Sequence, residues 1–330
     1  MSEERYATTY HAPVLVEEVL TWLDVREGGN YLDGTVGGGG HTEAILVASS
    51  PGGQILSLDR DPEAIAEVEG RLGETYGDRL VLREGNYSQA SKILGQEGWE
   101  KVEGWLIDAG VSSHQLDQAE RGFSFQAPGP LDMRMGTEGP TAGEFLDQCD
   151  QEELARVLKQ YGEIRGAWRI AGKILEARRA GKLESTAELS DLMVALSPPR
   201  YHPKGRSIHP ATLVFQGLRI AINDELRHLE EAVALIPEVV APGGRAVFIS
   251  FHSLEDRIIK HGFRDLSDPC TCPPGLPRCG CGAVPMGEVL TRRPIVATKE
   301  ECERNPRARS AKLRALRVLT EEERLARRGR

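Results

Sequence analysis

The chain has 330 residues, 40% of them hydrophobic, so it can build one large domain or two modest ones and is too apolar for wholesale disorder. No stretch approaches the roughly 20 apolar residues that cross a bilayer. The polar segment 1–12 lacks the apolar core of a signal peptide. The composition therefore predicts a soluble, cytoplasmic protein without a membrane partner.

Charge is unevenly distributed along the chain. The net charge of −9 argues against a simple polyanion binder. Residues 291–330, however, hold 13 Lys and Arg against 6 Asp and Glu. This basic C-terminal tail is compatible with local contacts to phosphate and equally with a solvated terminal helix.

The first third of the chain predicts strands that alternate with helices. The predicted strands are 31–33, 54–59, 79–83 and 104–108, and the predicted helices are 15–23, 41–48 and 62–71. Strands separated by helices of this length indicate a parallel, doubly wound α/β sheet.

The middle of the chain has no strand signal. Thr141 with Glu144 and Ser185 with Glu188 fit the capping box that begins a helix. We therefore expect an α-helical subdomain at 114–208, inserted between two parts of a sheet domain, 1–113 and 209–330.

The last third returns to the sheet pattern. One long helix is predicted over 209–236, followed by a strand at 246–249 and a closing strand at 312–319. Ser253 is the predicted cap of the helix after the first of these strands.

A glycine-rich loop follows the first predicted strand. Five glycines lie between Asp33 and His41, which lets the backbone pass very close to a ligand. The dinucleotide fingerprint fails, because Thr42 stands where its last glycine is required. An acidic residue at the start of the loop suits the cationic amino-acid tail of S-adenosyl-L-methionine; the alternative is a tight turn without a ligand.

Acidic residues also end other predicted strands. Asp59, at the end of the second strand, could accept both hydroxyls of an adenosine ribose, and Asp108 ends the fourth strand. Ligands bind at the carboxyl ends of parallel strands, so Asp33, Asp59 and Asp108 should converge. His252 follows a later strand at the same edge. The alternative for Asp108 and for this last segment is helix capping.

Four of the six cysteines are Cys270, Cys272, Cys279 and Cys281, within the Cys-rich loop 270–281. Two Cys-x-Cys pairs could bind zinc as thiolates, and the alternative is a reduced surface hairpin without metal. The pattern alone leaves both open.

In order along nearly the whole chain, the sequence resembles the RsmH (formerly MraW) family of bacterial 16S rRNA cytosine-N4 methyltransferases. The matching stretches are 11–15, 33–42, 108–115, 121–125, 129–135, 209–212, 250–257 and 305–312.

The resemblance implies a class I S-adenosylmethionine methyltransferase fold, Rossmann-like with an inserted helical subdomain that recognises the substrate. It implies cofactor contacts from Gly39, Gly40 and His41, and Asp59 on the ribose. It further implies Tyr87 beside the adenine, and Asp108 and Gln115 closing the site.

The implied reaction is direct methyl transfer to the exocyclic N4 of a decoding-centre cytosine of 16S rRNA, C1402 in the family. The implied partner is 16S rRNA within the small ribosomal subunit, and a homodimer is left open. Asp108 and His252 are the predicted catalytic residues, as acceptor and relay for the N4 proton.

Some positions depart from the family pattern. Tyr87 stands for an expected Phe, Ala109 for Leu, Leu213 for Arg and Gly217 for Ala. The loss of the Arg puts an RNA or structural contact in doubt.

Four rival functions compete with this one. Cytosine C5 methylation needs a cysteine nucleophile, for which Pro269-Cys270 is a superficial match away from the Asp108 loop. A DNA amino-methyltransferase would show an Asp-Pro-Pro-Tyr-like loop, and residues 108–111 are Asp-Ala-Gly-Val. A cofactor-binding ribosome-assembly factor without turnover is not excluded by sequence, nor is another RNA substrate.

Overall fold

The computed structural model describes residue 6 and residues 13–196, 209–273 and 280–327. The chain forms two compact units. One consists of Met1–Gly110 with Leu226–Arg330, and the other is Val111–Glu225. We refer to them as the sheet unit and the helical unit.

A single sheet organises the sheet unit. Within the described residues its strands are β1 (Asn30–Asp33), β2 (Gln54–Asp59), β3 (Leu80–Glu84), β4 (Val102–Asp108), β5 (Val240–Ser250), β6 (Gly287–Val289), β7 (Ile295–Val296) and β8 (Lys312–Val318). The order is β3-β2-β1-β4-β5-β8-β6, with β7 also on β8. Strands β1 to β5 pair in parallel, whereas β8 is antiparallel to its neighbours. This confirms the predicted α/β fold with a mostly parallel sheet.

Helices cover both faces of this sheet. Those of the sheet unit are α1 (Val16–Leu23), α2 (Gly40–Ala48), α3 (Pro62–Tyr76), α4 (Ala90–Gln96), α11 (Glu225–Val239, whose first residue belongs to the helical unit), α12 (Ser253–Ser267), α13 (Lys299–Arg304) and α14 (Glu321–Arg327). Apolar residues of α1, α2 and α3 form one core layer, and those of α4, α11 and α12 form the other. The central strands are apolar on both faces because both are covered.

The chain order reverses between β1 and β4. From β1 the sheet grows one way through β2 and β3 and the other way through β4 and β5. The carboxyl ends of β1 and β4 therefore border the crevice in which doubly wound folds bind ligands.

The predicted helix 209–236 is two helices, and the single-helix prediction is wrong. Asp224 adopts the left-handed conformation (φ 52°, ψ 36°) and its amide caps α10 (Pro210–Asn223) at the Ile220 carbonyl. Asp and Asn tolerate this conformation better than most residues, so the chain turns here without a glycine.

Helices and loops build the helical unit. Its helices are α5 (Ser113–Asp117), α6 (Ala142–Gln148), α7 (Gln151–Gln160), α8 (Ala167–Arg179), α9 (Thr186–Leu196) and α10. Both predicted capping boxes form, with Glu144 N on the Thr141 hydroxyl at 3.1 Å and Glu188 N on the Ser185 hydroxyl at 3.3 Å.

The helical unit ends later than we predicted. Apolar residues of α10, among them Val214 and Leu218, belong to the core formed by α6 to α9. The structural boundary accordingly lies at residue 225 rather than 208; position 208 itself is outside the described residues. No helix of the described part is both long enough and apolar enough to traverse a bilayer.

Candidate functional site

Three neighbouring strands end in aspartates. Asp33 ends β1, Asp59 ends β2 and Asp108 ends β4. Because β1 lies between β2 and β4 in parallel pairing, the structure places these residues at one edge of the sheet.

Asp33 is fully buried at the base of the glycine loop. Its Oδ1 accepts from the Thr35 amide at 3.0 Å and its Oδ2 from the Thr42 hydroxyl at 2.8 Å. Burial raises the pKa of Asp33 to about 7, against the lowering effects of His41 and these hydrogen bonds. Asp33 thus ties the end of β1 to the first turn of α2, a bracing role that the sequence did not indicate.

The glycine loop requires glycine for two reasons: some positions have a positive φ angle, and another leaves no room for a Cβ atom. Gly37 and Gly39 have positive φ (47° and 73°), and Gly39 is the N-cap of α2. A Cβ on Gly40 would lie 2.6 Å from the Pro13 ring. The guanidinium of Arg71 fixes the loop by donating to the Gly38 carbonyl at 2.6 Å. The backbone conformation of the glycines and the Arg71 side chain therefore both fix the loop.

Asp59 connects β2 to the same loop. Its Oδ2 accepts from the Gly37 amide and its Oδ1 from the Asp61 amide, both at 2.9 Å. Burial raises the pKa of Asp59 to about 6. A carboxylate offers about four acceptor sites, so that of Asp59 can still accept from a ligand hydroxyl. Asp61 is instead the N-cap of α3.

His41 and Asp108 face each other, with His41 Nε2 at 3.6 Å from Asp108 Oδ2. Both ring nitrogens of His41 and the Oδ1 of Asp108 are buried and lack hydrogen-bond partners among the described residues. The Asp108 amide is anchored on the Thr35 hydroxyl at 2.7 Å. Buried polar atoms are costly when unpaired, so this pair is suited to receiving a polar ligand.

Thr35 and Thr42 are site residues that we did not predict. Thr35 links the ends of β1 and β4, and Thr42 links Asp33 to the Ser57 hydroxyl of β2 at 2.8 Å. Their position a few residues after Asp33 was the only available signal, because a hydroxyl can support a neighbouring carboxylate.

Tyr87 follows β3 in a short 3₁₀ turn begun by Asn86. It is partly buried and packs against the second core layer. A Cβ on Gly34 would lie 2.9 Å from the Tyr87 Cβ, so the missing side chain allows this ring to approach the end of β1. The sheet unit hence brings together Asp33, Gly39, Gly40, His41, Asp59, Tyr87 and Asp108.

Gln115 belongs to the helical unit. It is buried, and its side chain accepts from the Ser112 amide at 3.1 Å while donating to the Met135 carbonyl at 3.3 Å. It completes the capping box of α5. Its predicted cofactor contact stays a prediction.

His252, not Ser253, is the N-cap of α12. Its Nδ1 accepts from the Glu255 amide at 3.4 Å, and its Nε2 lies 3.1 Å from Glu255 Oε1. Asp108 pairs with Ile249 on β5, so His252 follows the strand next to Asp108. The expected capping by Ser253 is wrong, because the imidazole nitrogen takes the acceptor role.

Three cysteines cluster after α12. The sulfur atoms of Cys270, Cys272 and Cys281 all lie within 4.8 Å of one another. Cys279 lies outside the described residues.

Much of the basic tail is paired within the fold. Arg314 contacts Asp256 at 2.7 Å and Arg317 contacts Glu288 and Glu323, each at 2.8 Å. Arg307 and Arg309, in the 3₁₀ turn Pro306–Ser310, are exposed. The alternative of a solvated terminal helix holds only for α14, because β8 of the same tail lies inside the sheet.

The doubly wound sheet, with its glycine loop after β1 and a carboxylate after β2, has the fold of a class I S-adenosyl-L-methionine methyltransferase. Residues 8–319 match the MraW methylase family. The chain belongs to this family, and S-adenosyl-L-methionine is its cofactor.

The relatives carry the name ribosomal RNA small subunit methyltransferase H. The protein of this name from Geobacter sulfurreducens is 50% identical over 309 residues, covering 93% of this chain and 98% of its own. That from Trichlorobacter lovleyi is 47% identical over 307 residues, covering 93% and 97%. Among solved structures, an rRNA methylase from Streptococcus thermophilus superposes with a TM-score of 0.38 at 9% identity, covering 92% of this chain and 94% of its own.

Proposed function

We propose that the chain methylates 16S rRNA at the exocyclic N4 of the decoding-centre cytosine, C1402, in the small ribosomal subunit and in the cytoplasm. The names of its relatives support a small-subunit rRNA substrate. The observation that carries the catalytic part is the pair His41 and Asp108 at the switch point. The His41 ring nitrogens and the Asp108 Oδ1 are buried without hydrogen-bond partners among the described residues.

The residues at the sheet edge fit the cofactor. His41, Gly39 and Gly40 line its amino-acid end, Asp59 accepts the ribose hydroxyls, and Tyr87 offers a flat face to the adenine. Asp33 supports the loop beneath the cationic tail. When bound, S-adenosyl-L-methionine supplies a methyl group already activated by the sulfonium.

The N4 amine is a weak nucleophile and requires activation. The N4 lone pair of cytosine is delocalised into the ring, and Asp108 localises it by accepting an N4 hydrogen. The carboxylate would also hold the amine in line with the methyl group that the cofactor supplies. N4 then loses one proton, and His252 relays it to solvent. Residues of the helical unit, 111–225, recognise the unpaired cytosine and its flanking RNA.

The rival chemistry at C5 would need a thiol beside the transferred methyl. In the described part of the sheet unit, the cysteines lie in the loop after α12 and on α13, not at the ends of β1, β2 or β4. Direct transfer without a covalent intermediate fits this arrangement better.

A radiolabelled methyl-transfer assay tests the proposal. The full chain is incubated with labelled S-adenosyl-L-methionine and with small-subunit RNA, either naked or assembled, and the product nucleoside is identified by mass spectrometry. We expect N4-methylcytidine. 5-Methylcytidine would instead support the C5 reaction, and cofactor binding without label transfer to either RNA would support an assembly factor.

A further inference from the structure

The connection between α12 and β6 brings three thiols together outside the cofactor site. Cys270 and Cys272 follow the end of α12, and Cys281 precedes β6. Cys270 and Cys281 are exposed and Cys272 is partly exposed. Their sulfur atoms lie within 4.8 Å of one another, and those of Cys270 and Cys281 are 3.9 Å apart.

These distances favour a shared ion over a disulfide. A disulfide holds two sulfur atoms about 2.05 Å apart, far closer than the observed pair. In a tetrahedral zinc site with Zn–S bonds of about 2.3 Å, neighbouring sulfur atoms are about 3.8 Å apart. The separation of Cys270 and Cys281 is close to this value.

Backbone pairing at the two ends of the connection supports the cluster. The Met286 amide donates to the Leu266 carbonyl at 2.8 Å, and the Leu319 amide donates to the Met286 carbonyl at 2.9 Å. Cys270 lies a few residues beyond Leu266 and Cys281 a few residues before Met286. These hydrogen bonds already bring the two ends of the connection together. Less conformational entropy is therefore lost when the three cysteines gather around one ion.

We propose that Cys270, Cys272 and Cys281 bind one zinc ion as thiolates, leaving a fourth position open to a further donor. Thiolate ligands select zinc and other soft or borderline metals over Mg²⁺ and Ca²⁺. Binding releases the three thiol protons to solvent, so affinity rises with pH. The ion ties the end of α12 to the segment before β6, and it has a structural rather than a catalytic role.

Metal analysis of the full chain provides the first test. The protein is produced with added zinc, dialysed and analysed by plasma mass spectrometry, and we expect about one zinc per chain. Cys270→Ser with Cys281→Ser should remove it. Cys302→Ser, on α13, is the matched control and should keep the full amount. Loss of zinc in the control equal to that in the double variant would contradict the site.

Cobalt substitution tests the ligands without any variant, in case the serine variants fold poorly. Co²⁺ in a tetrahedral thiolate site gives a sulfur-to-metal charge-transfer band and intense visible absorption. We expect both, and their loss when zinc is added back. Wild-type protein that holds neither metal after supplementation, or that keeps a Cys270–Cys281 disulfide after preparation under reducing conditions, would overturn the proposal.

Discussion

The Asp59 carboxylate accepts a hydrogen bond from the Gly37 amide, with Oδ2 and N 2.9 Å apart. The end of β2 is thereby joined to the glycine loop that follows β1. A carboxylate that anchors this loop and still has free lone pairs can position a ribose relative to the amino-acid end of the cofactor.

Asp59→Ala should weaken cofactor binding by one to several orders of magnitude. Two charge-assisted hydrogen bonds to the ribose, each worth roughly 1.5–3 kcal/mol, would be lost, and each 1.4 kcal/mol is about tenfold in affinity. Titration calorimetry with S-adenosyl-L-methionine measures the change. Asp61→Asn is the control, because asparagine caps α3 as well as aspartate does. Wild-type affinity in Asp59→Ala would refute the assignment.

The raised pKa values of Asp33 and Asp59 predict a pH-dependent stability. The folded chain binds these protons more tightly than the unfolded chain, whose aspartates titrate near 3.8. The contribution of each group to stability therefore falls as pH rises from about 4 to its folded pKa, about 7 for Asp33 and about 6 for Asp59. The slope reaches at most about 1.4 kcal/mol per pH unit for each group.

Denaturant unfolding of the cofactor-free chain between pH 4.5 and 8 checks this. The difference in unfolding free energy between the wild type and Asp33→Asn should change with pH up to about pH 7. The corresponding difference for Asp59→Asn should change only up to about pH 6. Two flat difference profiles would show that burial does not perturb these carboxyls.

Sequence patterns predicted the sheet edge well because strand ends carry strong local signals. Asp33, Asp59 and Asp108 each follow an apolar run, and parallel pairing then brings them to one edge. The break at Asp224 could not be found, because the apolar spacing continues through it and only backbone conformation marks it. The sequence did not identify His252 as the N-cap of α12, because histidine is rarely an N-cap residue.

Very short strands gave no signal either. β6 and β7 have three and two residues, and they pair because β8 presents an open edge. The bracing roles of Thr35 and Thr42 depend on tertiary distances that periodicity does not encode.

Replacing Arg307 and Arg309 should weaken RNA binding and its salt dependence. Both are exposed. Lys312, a third basic residue of this part of the tail, lies 3.7 Å from Asp256. Two lost phosphate contacts should reduce the slope of log K against log salt by roughly 1.4–1.8. Filter binding at several salt concentrations measures it.

The triple variant that adds Lys312→Gln should differ little from the double variant, and Lys312→Gln alone should have a small effect. Cofactor affinity should be unchanged throughout. An unaltered salt slope in the triple variant would exclude a phosphate contact from this turn.

Asp108→Asn should lower turnover far more than RNA binding. The change keeps the shape and one acceptor oxygen but removes the charge that draws a hydrogen from N4, so we expect a loss of roughly 10²-fold or more in the single-turnover rate. Glu103→Gln is a matched control, because Glu103 lies on the same strand at the opposite edge of the sheet. Methylation by Asp108→Asn at the wild-type rate would eliminate the acceptor role.

His252 can be tested by separating its cap from its proposed relay. His252→Ala removes both the imidazole and the acceptor for the Glu255 amide, and it should cost about 1 kcal/mol of stability as well as turnover. His252→Asn restores a good N-cap but lacks the imidazole. If the imidazole relays the N4 proton, His252→Asn unfolds like the wild type but turns over roughly tenfold or more slowly. Wild-type turnover in His252→Asn would leave His252 with the cap alone, because a side chain that only begins α12 is fully replaced by asparagine.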